Sequence, residues 1–211
     1  MTKPPQILIL YAHPTPHHSR ANRRMAEAAA KVPNVRLHDL YELYPDFHIP
    51  VRREQALLAQ ADLIVFQHPV QWYSMPALLK QWVDSVFTPG WAYGPGGDAL
   101  HGKDFWLVAT TGGSDRSYQA EGHNLFPFSA FLPPFQQTAQ LCGMRWLPPH
   151  LLFGAHQVNQ QTLAAHIEAY RKRLANYPHW PELPASKTSP APASSASVTE
   201  QPTGQAADQP G

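Results

Sequence analysis

Apolar positions along this chain follow two rhythms, and the switching between them predicts the elements. Ile7-Leu8-Ile9-Leu10-Tyr11 and Leu63-Ile64-Val65-Phe66 are short runs without a polar position, as in parallel strands buried on both faces. Between them, from Val35 to Leu40, Val35 and Leu37 alternate with Arg36 and His38, which predicts a more exposed strand. Phe105 to Ala109 and Leu151-Leu152-Phe153 predict two more. The other rhythm is helical. It places Met25, Ala28, Ala29 and Val32 on a helix over 21–32, and Ala56-Leu57-Leu58 in a short one. Pro76 suits a first turn, having no amide to lose there, and opens a helix with Leu78, Leu79, Trp82, Val83, Val86 and Phe87. Leu163, Ile167, Tyr170 and Leu174 mark a last helix, with Arg171, Lys172 and Arg173 near its negative end. Strand and helix in alternation predict an α/β fold, a doubly wound five-stranded parallel sheet in a single domain.

Such sheets bind ligands in the loops beyond the carboxyl ends of their strands. Three loops stand there: His13 to Asn22, Gln67 to Met75 and Thr110 to Asn124. In the first, Ser19 can cap the next helix, whose free amides with Arg20 and His13 form a phosphate-sized anion site; a plain cap explains Ser19 equally well. No G-x-G-x-x-G pattern is present, so the usual dinucleotide fingerprint fails. His13, His17 and His18 raise the question of a metal, but prolines separate them and no carboxylate or cysteine is near, so no metal site is predicted. In the second loop Trp72 and Tyr73 beside proline suit the wall of a flat ring, or ordinary core. In the third, Gly112-Gly113 lets a ligand approach the backbone, or simply makes a turn. Tyr118 and His123 follow, both able to donate a hydrogen bond. A phosphate site, an aromatic wall and a glycine pair on successive strand ends together describe a flavin mononucleotide site.

Composition narrows the class. The chain has 211 residues, 43% hydrophobic and 15% charged, with a net charge of +1, as expected of a globular domain rather than a disordered chain. A near-neutral balance argues against nucleic-acid binding. No apolar run reaches the roughly 18 residues of a membrane span, and no leader pattern opens the chain, so a cytoplasmic location is expected. The single cysteine, Cys142, excludes an internal disulfide and a zinc ribbon. From Pro181 the chain turns to Pro, Ala, Ser, Gln and Thr with only Leu183 and Val198 as large aliphatics. Residues 181–211 are therefore predicted to be a disordered tail, 6–180 the folded domain and 1–5 a short extension. The wide apolar stripe of the helix Pro76 to Phe87 predicts a homodimer paired along it.

Longer motifs add a resemblance. Tyr11-Ala12-His13-Pro14 with Ser19-Arg20-Ala21-Asn22, Gln67-His68-Pro69-Val70-Gln71-Trp72-Tyr73-Ser74-Met75-Pro76, and Thr110-Thr111-Gly112-Gly113 resemble the flavodoxin-like NAD(P)H:quinone oxidoreductases. Leu43-Tyr44-Pro45-Asp46-Phe47, Gly90-Trp91-Ala92-Tyr93-Gly94 and Leu100-His101-Gly102-Lys103 look most like the ancillary oxidoreductases of glutathione-gated potassium efflux antiporters. The resemblance runs from about Ile7 to Tyr177. It implies a flavodoxin-like fold and FMN, with NADPH or NADH as hydride donor, a quinone as acceptor and two-electron ping-pong transfer. His13, Ser19, Arg20, Ala21 and Asn22 would hold the ribityl chain and phosphate. Val70, Gln71, Trp72 and Tyr73 would pack along the isoalloxazine edge, and Thr110, Thr111, Gly112 and Gly113 against its pyrimidine end. Tyr118 and His123 look like the Tyr–His pair that handles charge and protons, one residue closer together than in the animal enzymes. It also implies a homodimer, and a second function to weigh: a cytosolic regulator docked on the cytoplasmic face of a potassium/proton antiporter, with redox chemistry secondary. A one-electron flavodoxin carrier is disfavoured, because such carriers are usually strongly acidic.

Overall fold

The computed structural model describes residues 4–181 and 183. Its sheet runs in the order β2 (Val35–Asp39), β1 (Ile7–Tyr11), β3 (Leu63–Pro69), β4 (Asp104–Thr110) and β5 (Arg145–Trp146), with β6 (His150–Leu152) also paired to β4. Every pairing is parallel. Among the described residues six helices flank it: α1 (Ala21–Ala29), α2 (Leu40–Leu43), α3 (Val51–Gln60), α4 (Ala77–Val86), α5 (Pro133–Leu141) and α6 (Gln160–Asn176). Because strand side chains alternate between faces, Leu8, Leu10, Ile64, Phe66, Phe105 and Leu107 pack under α3, α4 and α5. Ile7, Ile9, Leu63, Val65, Trp106 and Val108 pack under α1 and α6. Phe66 meets Phe105 edge-on at 4.7 Å and Trp82 at 6.3 Å, and truncating it to alanine is expected to cost about 3–5 kcal/mol.

The predicted doubly wound sheet is present, with its fifth position divided. β5 lies beside Asp104-Phe105 and β6 beside Val108 to Thr110, because Pro148 and Pro149 intervene and a proline has no amide for the ladder. The Pro148 carbonyl instead accepts from the Trp106 indole at 2.9 Å. The second strand stops at Asp39 rather than Leu40: the Asp39 carboxylate accepts from the amides of Tyr41 and Glu42 and caps α2.

One expectation changes here. The apolar stripe proposed for dimer pairing is covered by the chain itself: Leu78, Leu79, Trp82, Val86 and Phe87 are buried, with Val83 packed beside them. Ala92, Trp91 and Tyr93 of the following loop help close over it. The stripe is wide because it meets both a sheet and a loop. Of the predicted tail, only Pro181 and Leu183 are described, and Leu183 packs partly buried on the α1–α6 face. Residues 184–211, like residues 1–3 of the predicted extension, lie outside the described residues.

Candidate functional site

A cavity of about 160 Å³ opens at the carboxyl ends of the strands, between the loops that follow β1, β3, β4 and β6. After β1 the chain makes one 3-10 turn, Pro16–His18, and Ser19 stays extended before α1 begins. The Ser19 hydroxyl accepts from the Arg23 amide at 3.3 Å, so it serves the helix four residues on and leaves the earlier first-turn amides without an acceptor inside the helix. His13 is held by the Thr15 amide, which donates to its Nδ1 at 3.1 Å, so neutral His13 carries its proton on Nε2. Burial, and then neighbouring His156, hold the His13 imidazole below its usual pKa.

Asn22 forms the inner wall. It is 2% exposed, its Nδ2 donates to Thr110 Oγ1 at 2.7 Å, and its Oδ1 is buried with no hydrogen-bond partner. Arg20, His13, His18 and His156 line the cavity, and no carboxylate does. Helix amides, a guanidinium and imidazoles in that arrangement select an anion, while Asn22 Oδ1 can accept from a hydroxyl.

The loop after β3 is tied to the next by a bond from the Val70 amide to the Thr110 carbonyl at 2.8 Å. It then forms a tight hairpin, with paired backbone bonds of 3.0 Å between Gln71 and Ser74. The two residues at its tip, Trp72 and Tyr73, have φ of 46° and 63°, as a type I′ turn requires. Asparagine and glycine adopt this conformation readily, whereas each bulky residue held there costs on the order of 1–3 kcal/mol. Trp72 is 92% exposed, which removes the ordinary-core alternative for it. Tyr73 stacks on Phe131 at 5.0 Å and donates to Asn124 Oδ1 at 3.3 Å.

In the third loop the two glycines differ. Gly112 lines the cavity, and a Cβ there would stand 3.6 Å from the His156 ring, in space the protein leaves open. A Cβ on Gly113 would point the other way, 2.6 Å from Ser117 Oγ and 3.3 Å from the Tyr118 ring. Tyr118 is 6% exposed and packs edge-on to Phe128 at 5.3 Å, with Phe131 and Phe153 beside it. His123 is exposed on the loop.

The structure thus brings His13, Ser19, Arg20, Ala21, Asn22, Val70, Thr110, Thr111 and Gly112 to one cavity. Gln71, Trp72, Tyr73, Gly113, Tyr118 and His123 lie outside its lining. Thr15, His18, Pro69, Ala155 and His156 line it without having been predicted to. The last two come from the loop after β6, stitched in by bonds from Ala155 to Thr111 at 2.9 Å and from Gly154 to Gly113 at 2.8 Å. That loop also follows a strand's carboxyl end, and this position could have pointed to it. Among the described residues no group of three or more His, Cys, Asp or Glu is placed to hold a metal ion, and no helix is long and apolar enough to cross a membrane.

A family model for the flavodoxin-like fold matches residues 5–174, and the chain belongs to that family. It is 49% identical over 171 residues to the glutathione-regulated potassium-efflux system ancillary protein KefF of Salmonella schwarzengrund, covering 81% of this chain and 96% of that one. Among solved structures it resembles general stress protein 14 of Treponema denticola in complex with FMN, at TM-score 0.77 and 33% identity over 81% of this chain and 98% of that one. An NADPH-quinone reductase from P. pentosaceus is similar at TM-score 0.74 and 33% identity, with the same coverage. A thermophilic tryptophan halogenase from Streptomycin violaceusniger is similar at TM-score 0.76 and 42% identity over 78% of this chain and 96% of that one. These names span different activities, so the reaction has to be argued from the site.

Proposed function

We propose that the protein is an FMN-dependent NAD(P)H:quinone oxidoreductase working by two-electron ping-pong transfer, with nicotinamide and quinone using one surface in turn. The observation that carries this is the cavity: free amides at the start of α1 and three imidazoles without a carboxylate, beside an unpartnered Asn22 Oδ1. A phosphate suits the first group and a ribityl hydroxyl suits the second. Gly112 leaves room where a side chain would narrow the space before His156. The FMN complex of the Treponema denticola relative supports the cofactor, and the name of the P. pentosaceus relative supports the quinone.

When bound, FMN supplies hydride acceptance and donation; this chain holds and orients. Ser19 to Asn22 with His13 grip the phosphate end, while Val70 to Tyr73 and Thr110 to Gly113 frame the ring. Burial and neighbouring Tyr73 push the Tyr118 phenol above its usual pKa, so its hydroxyl stays protonated and can donate to developing negative charge. His123, exposed on the same loop, would exchange that proton with water. Quinone-dependent oxidation of NADPH, with parallel lines in double-reciprocal plots, tests the scheme. NADPH consumption unaffected by quinone, or intersecting lines, would contradict it.

A second role, as cytoplasmic partner of a potassium/proton antiporter, is favoured by the KefF relative, of which this chain spans nearly the whole length. Co-purification with such an antiporter in detergent tests it, and a washed membrane free of the protein counts against it. The same reading includes a homodimer. With the apolar stripe of α4 buried, Trp72, Tyr73, Leu125 and Phe126, among the exposed large apolar residues, are side chains a second copy would cover. Sedimentation at twice the 23.6 kDa chain mass is the expected result.

A further inference from the structure

The apolar stripe of β3 on the α1–α6 face, Leu63 and Val65, continues into a glutamine. Gln67 is fully buried, its Nε2 donates to the Asn22 carbonyl at 2.9 Å, and its Oε1 accepts from the Tyr170 hydroxyl at 3.0 Å. Tyr170, from the middle of α6, is fully buried as well. Burial drives its phenol far above the usual range, so it acts as a donor at any physiological pH. The line continues through Asn22 to Thr110 and stops at Asn22 Oδ1 on the cavity wall.

Leucine and phenylalanine would fill the positions of Gln67 and Tyr170 without desolvating an amide and a phenol. A buried polar line is dearer than an apolar core of the same shape, and what it adds is a defined geometry. Here the geometry belongs to the first turn of α1. Gln67 pins the Asn22 carbonyl to β3, and so sets where the preceding amides stand, while the Asn22 carboxamide is held separately by Thr110. We propose that Gln67 and Tyr170, neither of which lines the cavity, are positioning residues for its phosphate end. This rests on the cavity being the FMN site, and it concerns the helix amides rather than the ring.

The double variant Gln67→Leu/Tyr170→Phe separates this from a structural role, because replacing both partners by apolar groups of similar shape leaves neither unpaired with the other. Flavin-free protein is titrated with FMN and, separately, with riboflavin, which has the ribityl chain and ring but no phosphate, while its melting temperature is recorded. The expected result is FMN binding weaker by on the order of fivefold, the equivalent of one net hydrogen bond, with riboflavin binding unchanged. Unchanged FMN affinity would overturn the proposal, as would equal weakening of both flavins, the signature of general loosening. If the double variant fails to fold, Tyr170→Phe alone is read by the same pair of titrations. Wild-type protein that binds neither flavin would instead remove the FMN assignment itself.

Discussion

Two buried polar clusters, on opposite faces of the sheet, end differently. Under α3 and α4, Glu54 is 1% exposed. It accepts from Trp82 Nε1 at 2.8 Å, from His38 Nε2 at 2.7 Å and from the Tyr44 hydroxyl. Burial works against its charge, but these three donors outweigh it and hold the carboxyl below its usual pKa. Under α1 and α6, the line Tyr170–Gln67–Asn22–Thr110 is equally buried and stops short, with Asn22 Oδ1 unpartnered at the cavity. The Glu54 cluster closes on itself, outside the lining of the cavity at the start of α1, and joins α3, α4 and β2. The other is completed only from outside. A buried charge is thus a weaker sign of function here than an unfinished hydrogen bond in a cavity wall.

If that contrast is right, breaking the closed cluster costs stability and breaking the open one costs binding. Glu54→Leu would strand His38, Tyr44 and Trp82, and is expected to lower unfolding free energy by about 3–5 kcal/mol in urea melts. Asn22→Ala is expected to cost about 1 kcal/mol, for its bond to Thr110. A loss as large as that of Glu54→Leu would erase the distinction.

Acid sharpens it next. Burial pushes His68, fully buried and stacked on Phe135 at 5.9 Å, down to about 4 from 6.5. The unfolded chain therefore takes up a proton at His68 before the folded one does. Its contribution is complete above about pH 6.5 and is lost as pH falls towards 4, roughly 3 kcal/mol in all. Glu54 acts only below the ordinary carboxylate pKa, as pH falls through its lowered folded value. Urea midpoints measured from pH 7 to 4 should slope downward from 6.5, and His68→Phe should flatten the upper part of that slope. An unchanged slope in the variant would clear His68 of the effect.

Smaller energies concern the site. Asn22→Ala and Gly112→Val are both expected to weaken FMN binding by more than about tenfold, or roughly 1.4 kcal/mol. Gly112→Val should do so with the fold intact, since its Cβ meets only ordinary contacts, whereas Gly113→Val should also disturb the Ser117–Tyr118 turn. Equal FMN affinity in Gly112→Val and wild type would place the ring elsewhere. Tyr118→Phe is expected to reduce quinone turnover on the order of tenfold at unchanged FMN content. Full turnover would make Tyr118 a packing residue of its aromatic cluster. Removing residues 184–211 is expected to change neither FMN content nor melting temperature, and a loss of either would refute the tail's predicted independence.

Much of this was legible in the chain. The unbroken apolar runs of β1 and β3 placed the sheet's centre, and the polar loops following strands placed nine of the cavity's lining residues. What stayed hidden had physical reasons. Nothing local marks β5 and β6 as one sheet position, because the prolines between them read as an end rather than an interruption. The stripe of α4 looked too wide for one partner, since periodicity cannot show that the loop around Ala92 returns to cover it. Trp72 and Tyr73 are poor candidates for left-handed backbone by residue type, and only the surrounding hairpin imposes it. Gly112 and Gly113 are indistinguishable as letters, yet one opens the cavity and the other makes room for Ser117. His156 carries no local signal of its own; only its place in the loop beyond the last strand end points to the cavity.

The central claim is that the cavity at the start of α1 holds FMN by its phosphate. It is tested most directly by the absorption spectrum of the purified protein, with released flavin identified after heat denaturation. The expected result is a flavin spectrum with one FMN released per chain, and loss of that flavin in Asn22→Ala with the fold retained. Colourless protein that takes up no FMN at micromolar concentration would contradict it.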